Sequence, residues 1–274
     1  MPSDFMIPLE DGYTLQCTRF PAQEQAASLI IIAHGYKGFK DWGMFPYAAE
    51  RLSQKHEIIT FNFSHNGIGD NPFEFTELER FAVNTYEREL ADLTALIRHL
   101  QQEEQLRSLP LFLLGHSRGA GVCLVYALDH PDTVAGVLSW NGVTNLDVFT
   151  DEQKREMRDN GRSYVTNGRT GQQMPLDVVI LDDMDKQQAR YDILNRIKDA
   201  SFNIALIQGS DDSIHLRRGS SQLVQIRPDI PWIHIPGGNH TFNAVHPFQG
   251  TTPPLEEALR ASLLFISQTL STIK

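Results

Sequence analysis

The chain has 274 residues, 41% of them hydrophobic and 21% charged, a composition that excludes an intrinsically disordered protein. Its 34 acidic residues outnumber 24 Lys and Arg, and a net charge of −10 argues against binding nucleic acid or anionic membranes. Two distant cysteines, Cys17 and Cys123, exclude a disulfide framework and a zinc pattern. The N-terminal residues lack the pattern of a signal peptide, and no apolar run approaches the ~20 residues that span a bilayer. We therefore expect a cytoplasmic protein.

The first predicted elements form an antiparallel hairpin at a sheet edge, with strands Asp4–Leu9 and Tyr13–Phe20 around an Asp11–Gly12 turn. Short apolar runs bounded by turn residues then predict strands that are buried on both faces, as in a parallel sheet. These predicted strands are Ser28–Ala33, Glu57–Phe63, Pro110–Leu114, Val134–Trp140, Asn203–Gln208 and Trp232–Ile235.

Segments with helical periodicity separate the predicted strands. The clearest helices are predicted at Asn84–Glu104, Ala120–Leu128 and Leu255–Leu270. The alternation of strands and helices predicts one doubly wound α/β domain over residues 1–274, with a mostly parallel sheet flanked by helices.

One segment, at about residues 145–200, breaks this alternation. It is dense in charge, and its one short apolar run is Val178–Leu181. Long insertions in compact domains are often functional, so we expect a lid or cap over the site. The segment has no long apolar stripe, which argues against a lipase activated at a lipid interface.

The strongest chemical signal is Gly115-His116-Ser117-Arg118-Gly119, between a predicted buried strand and a helix of small residues. A G-x-S-x-G sequence at such a junction is typical of a nucleophile elbow, in which a strained turn presents the serine hydroxyl. The helix N-terminus there favours developing negative charge. We therefore predict Ser117 as a nucleophile.

A serine nucleophile needs a base and an acid that orients the base. The predicted base is His240, in the loop after the last strand, with His246 as the second choice. The acid is predicted after strand Asn203–Gln208, where both Asp211 and Asp212 are candidates and one of them could cap the next helix. Asp147 is a more distant third choice.

A glycine-containing loop, His34-Gly35-Tyr36-Lys37-Gly38, follows an early predicted strand. It can turn backbone N–H groups toward the site, so we predict an oxyanion hole formed by the N–H groups of Tyr36 and Arg118. The side chains of Arg118, Lys37 and Lys40 suggest a locally positive mouth, with solvated side chains as the alternative.

The joint order of these motifs resembles the α/β-hydrolase superfamily over nearly the whole chain. The matched sequences are HGYKG, FNFSHNGIGDN, GHSRG, GSDD and GGNH. Among its members the chain looks most like the dienelactone-hydrolase-like, feruloyl-esterase-like and serine-aminopeptidase-like groups. In these families the acid lies three residues after the glycine of G-x-x-D, which favours Asp212 over Asp211. The resemblance departs at Arg118, where the family often has a short aliphatic residue or glycine.

The expected function is hydrolysis of small to medium carboxylic esters through an acyl-enzyme, without a metal or another cofactor. A peptidase of the proline-iminopeptidase type, using Glu152, Glu156 and Asp159 to hold an amine, and a thioesterase remain open. A binding module on a hydrolase scaffold is the alternative from a different class.

No interface signal predicts an oligomeric state. The candidate substrate-binding residues are Phe39, Trp140 and Phe242.

Overall fold

A computed structural model describes residues 1–273, so that Lys274, the last residue of the predicted domain, lies outside the described residues. The strands are β1 Ser3–Pro8, β2 Thr14–Phe20, β3 Leu29–Ala33, β4 Glu57–Phe61, β5 Leu111–His116, β6 Gly136–Trp140, β7 Arg162–Thr166, β8 Gln173–Asp177, β9 Asn203–Gly209 and β10 Trp232–Ile235.

Helices lie between and after these strands. They are α1 Met44–Leu52, α2 Leu78–Ala82, α3 Tyr86–Leu100, α4 Glu104–Arg107, α5 Arg118–Asp129, α6 Asp151–Asn160, α7 Val179–Lys186, α8 Gln188–Tyr191, α9 Ile193–Arg196, a 3₁₀-helix at Ile197–Asp199, α10 Ile214–Ile226 and α11 Pro253–Thr272.

Eight strands form one mixed sheet in the order β1-β2-β4-β3-β5-β6-β9-β10. The six strands from β4 to β10 pair in parallel, whereas β2 is antiparallel to both β1 and β4. The predicted fold class and the N-terminal hairpin are therefore confirmed. Because the parallel strands share a direction, their carboxyl ends and the loops that follow them meet at one edge of the sheet.

Helices cover both faces of this sheet. Ile31 and Leu113 belong to a hydrophobic cluster that includes residues of α3 and α5, whereas their neighbours Ile30 and Phe112 belong to a cluster that includes residues of α1 and α11. Successive residues of a strand face opposite sides, so a strand covered on both sides is apolar throughout. That is the physical reason why the short uninterrupted apolar runs predicted these strands.

The charged segment between β6 and β9 contains α6, the separate two-stranded sheet β7-β8, and α7 to α9. It packs through a third hydrophobic cluster, which joins Met157, Met174 and Leu176 of the segment to Phe39 and Phe81. The apolar residues of this segment are scattered along the chain, so their common face is visible only after folding.

Both cysteines are buried and unpaired, and burial raises the pKa of the Cys17 thiol to about 12. Among the helices of residues 1–273, none combines the length and the apolar character needed to cross a bilayer.

Candidate active site

The turn between β5 and α5 holds Ser117 at a φ of 54°, in the left-handed region. The two flanking glycines leave room for this turn. A Cβ at Gly115 would lie 2.3 Å from the Cα of Ala120, and one at Gly119 would lie 2.3 Å from the carbonyl oxygen of His34. The strand and helix therefore approach each other as closely as a nucleophile elbow requires.

Three side chains that are far apart in sequence meet at this turn. The Nε2 atom of His240 lies 3.0 Å from the Oγ of Ser117, and its Nδ1 atom lies 2.9 Å from Oδ1 of Asp212. When Nδ1–H donates to the carboxylate, Nε2 is free to accept the serine proton. The geometry thus allows the imidazole to act as a base on the serine hydroxyl.

Asp212 rather than Asp211 faces His240. Its carboxylate is buried and also accepts hydrogen bonds from Nε2 of Gln208 at 3.0 Å and the backbone N–H of Ser213 at 2.8 Å. Although burial raises the pKa of this carboxyl, the hydrogen bonds and the interaction with His240 outweigh burial and lower the pKa below its usual value. Asp211 is exposed, and the residue at the N-cap of α10 is Ser213, so Asp211 does not take the predicted capping position.

The His34–Gly38 loop lies against the elbow. A Cβ at Gly35 would stand 2.9 Å from the Cβ of Ser117, so the loop backbone passes beside the serine. Among the loop and turn hydrogen bonds of residues 1–273, no backbone carbonyl accepts from the N–H of Tyr36 or Arg118. Two free N–H groups beside a serine are what an oxyanion hole needs.

The side chain of Arg118 points into the protein interior. Its Nε donates to Glu89 of α3 at 3.0 Å, both side chains are nearly fully buried, and the guanidinium carbon lies 4.1 Å from the Tyr86 ring centroid. The Nζ of Lys40 is 2.7 Å from the Asp41 carboxylate. The expectation of a positive mouth is therefore wrong for these two side chains, because a carboxylate already neutralises each of them.

A cleft of about 460 Å³ opens at Ser117. Its walls come from the Tyr36 loop, the segment after β6 and the first turns of α10. The apolar part of its lining consists of Val143, Val148, Phe149, Leu194 and Leu216.

The structure places the three predicted substrate-binding residues in the hydrophobic core. Phe39, Trp140 and Phe242 are fully buried, and none of them lines the cleft at Ser117. The Trp140 indole N–H donates to Ser262 of α11 at 2.9 Å. An aromatic residue close to a motif in sequence can point to the opposite face of the sheet, which sequence spacing does not reveal.

Other candidates lie apart from the Ser117–His240 pair. His246 accepts a hydrogen bond from the backbone N–H of Gly43 at 3.0 Å and packs against Phe39. Asp147 lines the cleft, but its carboxylate is 2.8 Å from the Nζ of Lys154. Residues 1–273 contain no group of three or more His, Cys, Asp or Glu side chains that could hold a metal ion.

Sequence reasoning missed two residues that contact the loops of the site. Gln208, at the end of β9, donates to Asp212, and its own carbonyl accepts from the Trp232 indole at 3.0 Å. Asn141 follows β6 with a φ of 47° and is fully buried. The Asn141-Gly142 dipeptide was the available signal for Asn141, because asparagine and glycine tolerate the left-handed conformation.

A family model described as serine aminopeptidase, S33, matches residues 24–160, half of the chain. Together with the fold, this match defines the class: an α/β-hydrolase of the serine hydrolase type. The chain belongs to the serine aminopeptidase S33 family.

Two curated relatives match parts of the chain. Monoglyceride lipase from Rattus norvegicus is 26% identical over 128 residues, which are 47% of this chain and 39% of that enzyme. A monoglyceride lipase homolog from Monkeypox virus is 25% identical over 147 residues, 54% of this chain and 49% of that protein. The matches thus span two fifths to half of these relatives' own lengths.

Solved structures share the fold over nearly the full chain. Est1E from Butyrivibrio proteoclasticus with bound ferulic acid has a TM-score of 0.74 at 14% identity, covering 97% of this chain and 99% of that one. A soluble variant of monoglyceride lipase from Saccharomyces cerevisiae, in complex with a substrate analog, has a TM-score of 0.74 at 17% identity, covering 98% and 95%.

Gly119→Ala tests the close approach at the elbow. Because its Cβ would meet backbone oxygens of both Ala33 and His34, we expect overpacking to lower the free energy of unfolding by about 1–3 kcal/mol. Gly168→Ala is the matched control, since a Cβ there meets no atom within 4 Å. Urea denaturation of both variants measures the difference, and equal stabilities would contradict the steric argument.

Glu89→Gln tests the buried ion pair. Removing one partner leaves the Arg118 guanidinium buried without a counter-charge, so we expect a loss of about 3–5 kcal/mol in unfolding free energy. The double variant Arg118→Met/Glu89→Leu should recover much of this loss, because it removes both charges. Arg158→Ala, which breaks the exposed pair with Asp185, is the control and should leave the melting temperature nearly unchanged. A Glu89→Gln protein as stable as the wild type would refute the role of the pair.

Proposed function

We propose that this protein is a serine esterase that cleaves carboxylic esters with small to medium, uncharged acyl groups through an acyl-enzyme. The observation that carries the proposal is the continuous hydrogen-bonded chain from Ser117 through His240 to Asp212. This arrangement activates a serine hydroxyl, which is a poor nucleophile on its own.

In the first half-reaction, the Oγ of Ser117 attacks the ester carbonyl carbon while Nε2 of His240 accepts the hydroxyl proton. Asp212 holds the imidazole in the tautomer that leaves Nε2 free, and it stabilises the imidazolium. The N–H groups of Tyr36 and Arg118 bind the developing oxyanion. His240 then gives its proton to the leaving alcohol, and the acyl group remains on Ser117.

In the second half-reaction, water attacks the acyl-serine. His240 accepts a proton from the water as the new carbon–oxygen bond forms, and the same two N–H groups bind the second oxyanion. Collapse of this intermediate releases the carboxylic acid, and His240 returns the proton to Ser117.

The cleft supports an uncharged substrate of moderate size. Its volume of about 460 Å³ falls within the range of small-molecule sites, and much of its lining is apolar. Among the described residues, Arg118 is the only Lys or Arg that lines the cleft, and Glu89 already neutralises its guanidinium. A relative named monoglyceride lipase and a fold neighbour with bound ferulic acid agree with ester hydrolysis.

The alternatives have less support from the site. Glu152, Glu156 and Asp159, which could hold the amine of a peptidase substrate, do not line the cleft. The phosphates of an acyl-CoA thioester would find no free Lys or Arg in the described lining. A binding module has no need for a base beside a serine hydroxyl.

We further propose that the chain works as one domain in which residues 145–200 form a cap. Asn145, Val148, Phe149 and Leu194 of this segment line the cleft, so the segment supplies one of its walls. Lys37 of the oxyanion loop donates to the carbonyl of Thr166 at 3.1 Å, which joins the cap to that loop.

Labelling with a fluorophosphonate probe, together with turnover of p-nitrophenyl butyrate, tests the mechanism. We expect Ser117→Ala and His240→Ala to abolish both signals, because they remove the nucleophile and its base. Asp212→Asn should lower kcat by about 10⁴-fold, since the imidazole loses the correct tautomer.

Asp211→Asn is the matched control for the acid and should keep wild-type activity, because its carboxylate is exposed. A well-folded wild type that neither reacts with the probe nor turns over the ester would refute the esterase proposal and favour the binding module.

The dependence of activity on acyl-chain length tests whether the acyl group binds in the cleft at Ser117. We expect kcat/KM on p-nitrophenyl esters to rise by up to about fourfold per added methylene until the cleft is filled, because each buried methylene contributes about 0.8 kcal/mol. Leu216→Trp should shorten the preferred chain without changing acetate turnover. Leu264→Trp, at an exposed position of α11, is the control. An unchanged chain-length profile in Leu216→Trp would place the acyl group outside this cleft.

A further inference from the structure

The residue that follows β6, Asn141, combines a strained backbone with complete burial. Its φ is 47°, a left-handed conformation that asparagine tolerates but that glycine adopts at lower cost, and its side chain has no contact with solvent. Glycine would adopt this backbone without strain. The asparagine side chain must therefore contribute something that glycine cannot.

That side chain joins two loops of the site. Its Oδ1 accepts from the backbone N–H of Gly209, three residues before Asp212, at 2.8 Å. Its Nδ2 donates to the carbonyl oxygens of His240 at 2.9 Å and Asn239 at 3.2 Å. One amide thus holds the backbone of the loop that carries the acid and the backbone of the loop that carries the base.

The same strand end also contacts the nucleophile turn. The backbone N–H of Ser117 donates to the carbonyl of Trp140 at 2.9 Å, and the carbonyl of Ser117 accepts from the N–H of Val143 at 3.1 Å. Residues 140–143 are therefore hydrogen-bonded to the elbow and, through Asn141, to the two other loops.

His116 adds a second hydrogen bond to the base loop. Its Nε2 lies 2.8 Å from the carbonyl oxygen of His240, so this ring nitrogen carries a hydrogen and donates. Burial lowers the pKa of His116 to about 3, which keeps the ring neutral. The His240 carbonyl therefore accepts from both Asn141 and His116. Asn141 follows β6, and His116 is the last residue of the neighbouring strand β5.

We infer that Asn141 is a positioning residue, which sets the place of the His240 imidazole between Ser117 and Asp212 by tying the two loops to the end of β6. This inference rests on the proposed esterase function. It assigns Asn141 no contact with substrate, and it predicts that the amide matters for the chemical step rather than for substrate binding.

Asn141→Gly is the sharpest test, because glycine removes the amide and relieves the backbone strain at once. We expect kcat for p-nitrophenyl butyrate to fall at least tenfold, with KM within about twofold of wild type. The rate of fluorophosphonate labelling of Ser117 should fall in parallel. Asn141→Ala should lose as much activity and should melt at a lower temperature than Asn141→Gly, since alanine keeps the strain.

Asn141→Asp distinguishes the hydrogen bond that Asn141 accepts from Gly209 from the one that it donates to the His240 carbonyl. An ionised aspartate can still accept from Gly209, but it has no hydrogen to donate to the His240 carbonyl. If the donated bond positions the base, kcat should fall at least as far as in Asn141→Gly.

Ser262→Ala is the matched control. It removes a buried hydrogen bond to Trp140, the neighbour of Asn141, but touches neither loop. It should lower the melting temperature and leave kcat within about twofold of wild type.

The outcomes are distinguishable. An active wild type with an Asn141→Gly variant whose kcat stays within twofold would overturn the positioning role and leave the esterase standing. An equal loss of kcat in Asn141→Gly and Ser262→Ala would also overturn it, because general destabilisation would then explain both. A wild type without turnover or labelling would overturn both proposals.

Discussion

The close packing of β5, α5 and β3 around Ser117 is the constraint on which the rest of the site depends. Gly115 leaves no room for a side chain against α5, and Gly119 leaves none against the end of β3. The turn between them therefore holds Ser117 in a left-handed conformation at the helix N-terminus. Loops from the carboxyl ends of β3, β6, β9 and β10 meet around this point, because parallel strands end at one edge of the sheet.

A buried ion pair between Arg118 and Glu89 stabilises this arrangement from the protein interior. Both oxygens of Glu89 are used, one by Nε of Arg118 and the other by Nδ2 of Asn84. The guanidinium also lies over the rings of Tyr86 and Tyr36, at 4.1 and 5.2 Å. Burying two charges is costly unless they are paired and hydrogen-bonded. Here the ion pair and the ring contact with Tyr36 join α5 and α3 to the His34–Gly38 loop. The side chain of Arg118, the residue after Ser117, therefore lies inside the protein and not at the mouth of the cleft.

Elements with a clear hydrophobic pattern in the sequence could be predicted, and elements without one could not. The parallel strands and α3 were predictable from apolar runs and helical spacing. The segment at residues 145–200 was harder to predict, because α6 is highly charged and β7 and β8 lack the uninterrupted apolar runs of the parallel strands. One local signal in this segment was Thr150 with Gln153, which form a capping box at the start of α6. Phe39, Trp140 and Phe242 lie close to motifs in sequence, yet the register of the sheet and the turns around it direct them into the core.

The sequence by itself determined the sheet class, the elbow and the candidate serine, base and acid, because each follows from short-range sterics and from chain order. Only the tertiary structure decided that Asp212 faces His240, that Arg118 pairs with Glu89, and that Asn141 joins two loops. These contacts connect residues between 28 and 99 positions apart. They depend on strand order and helix packing, which arise from burial of apolar surface over the whole chain. No short stretch of the sequence encodes them.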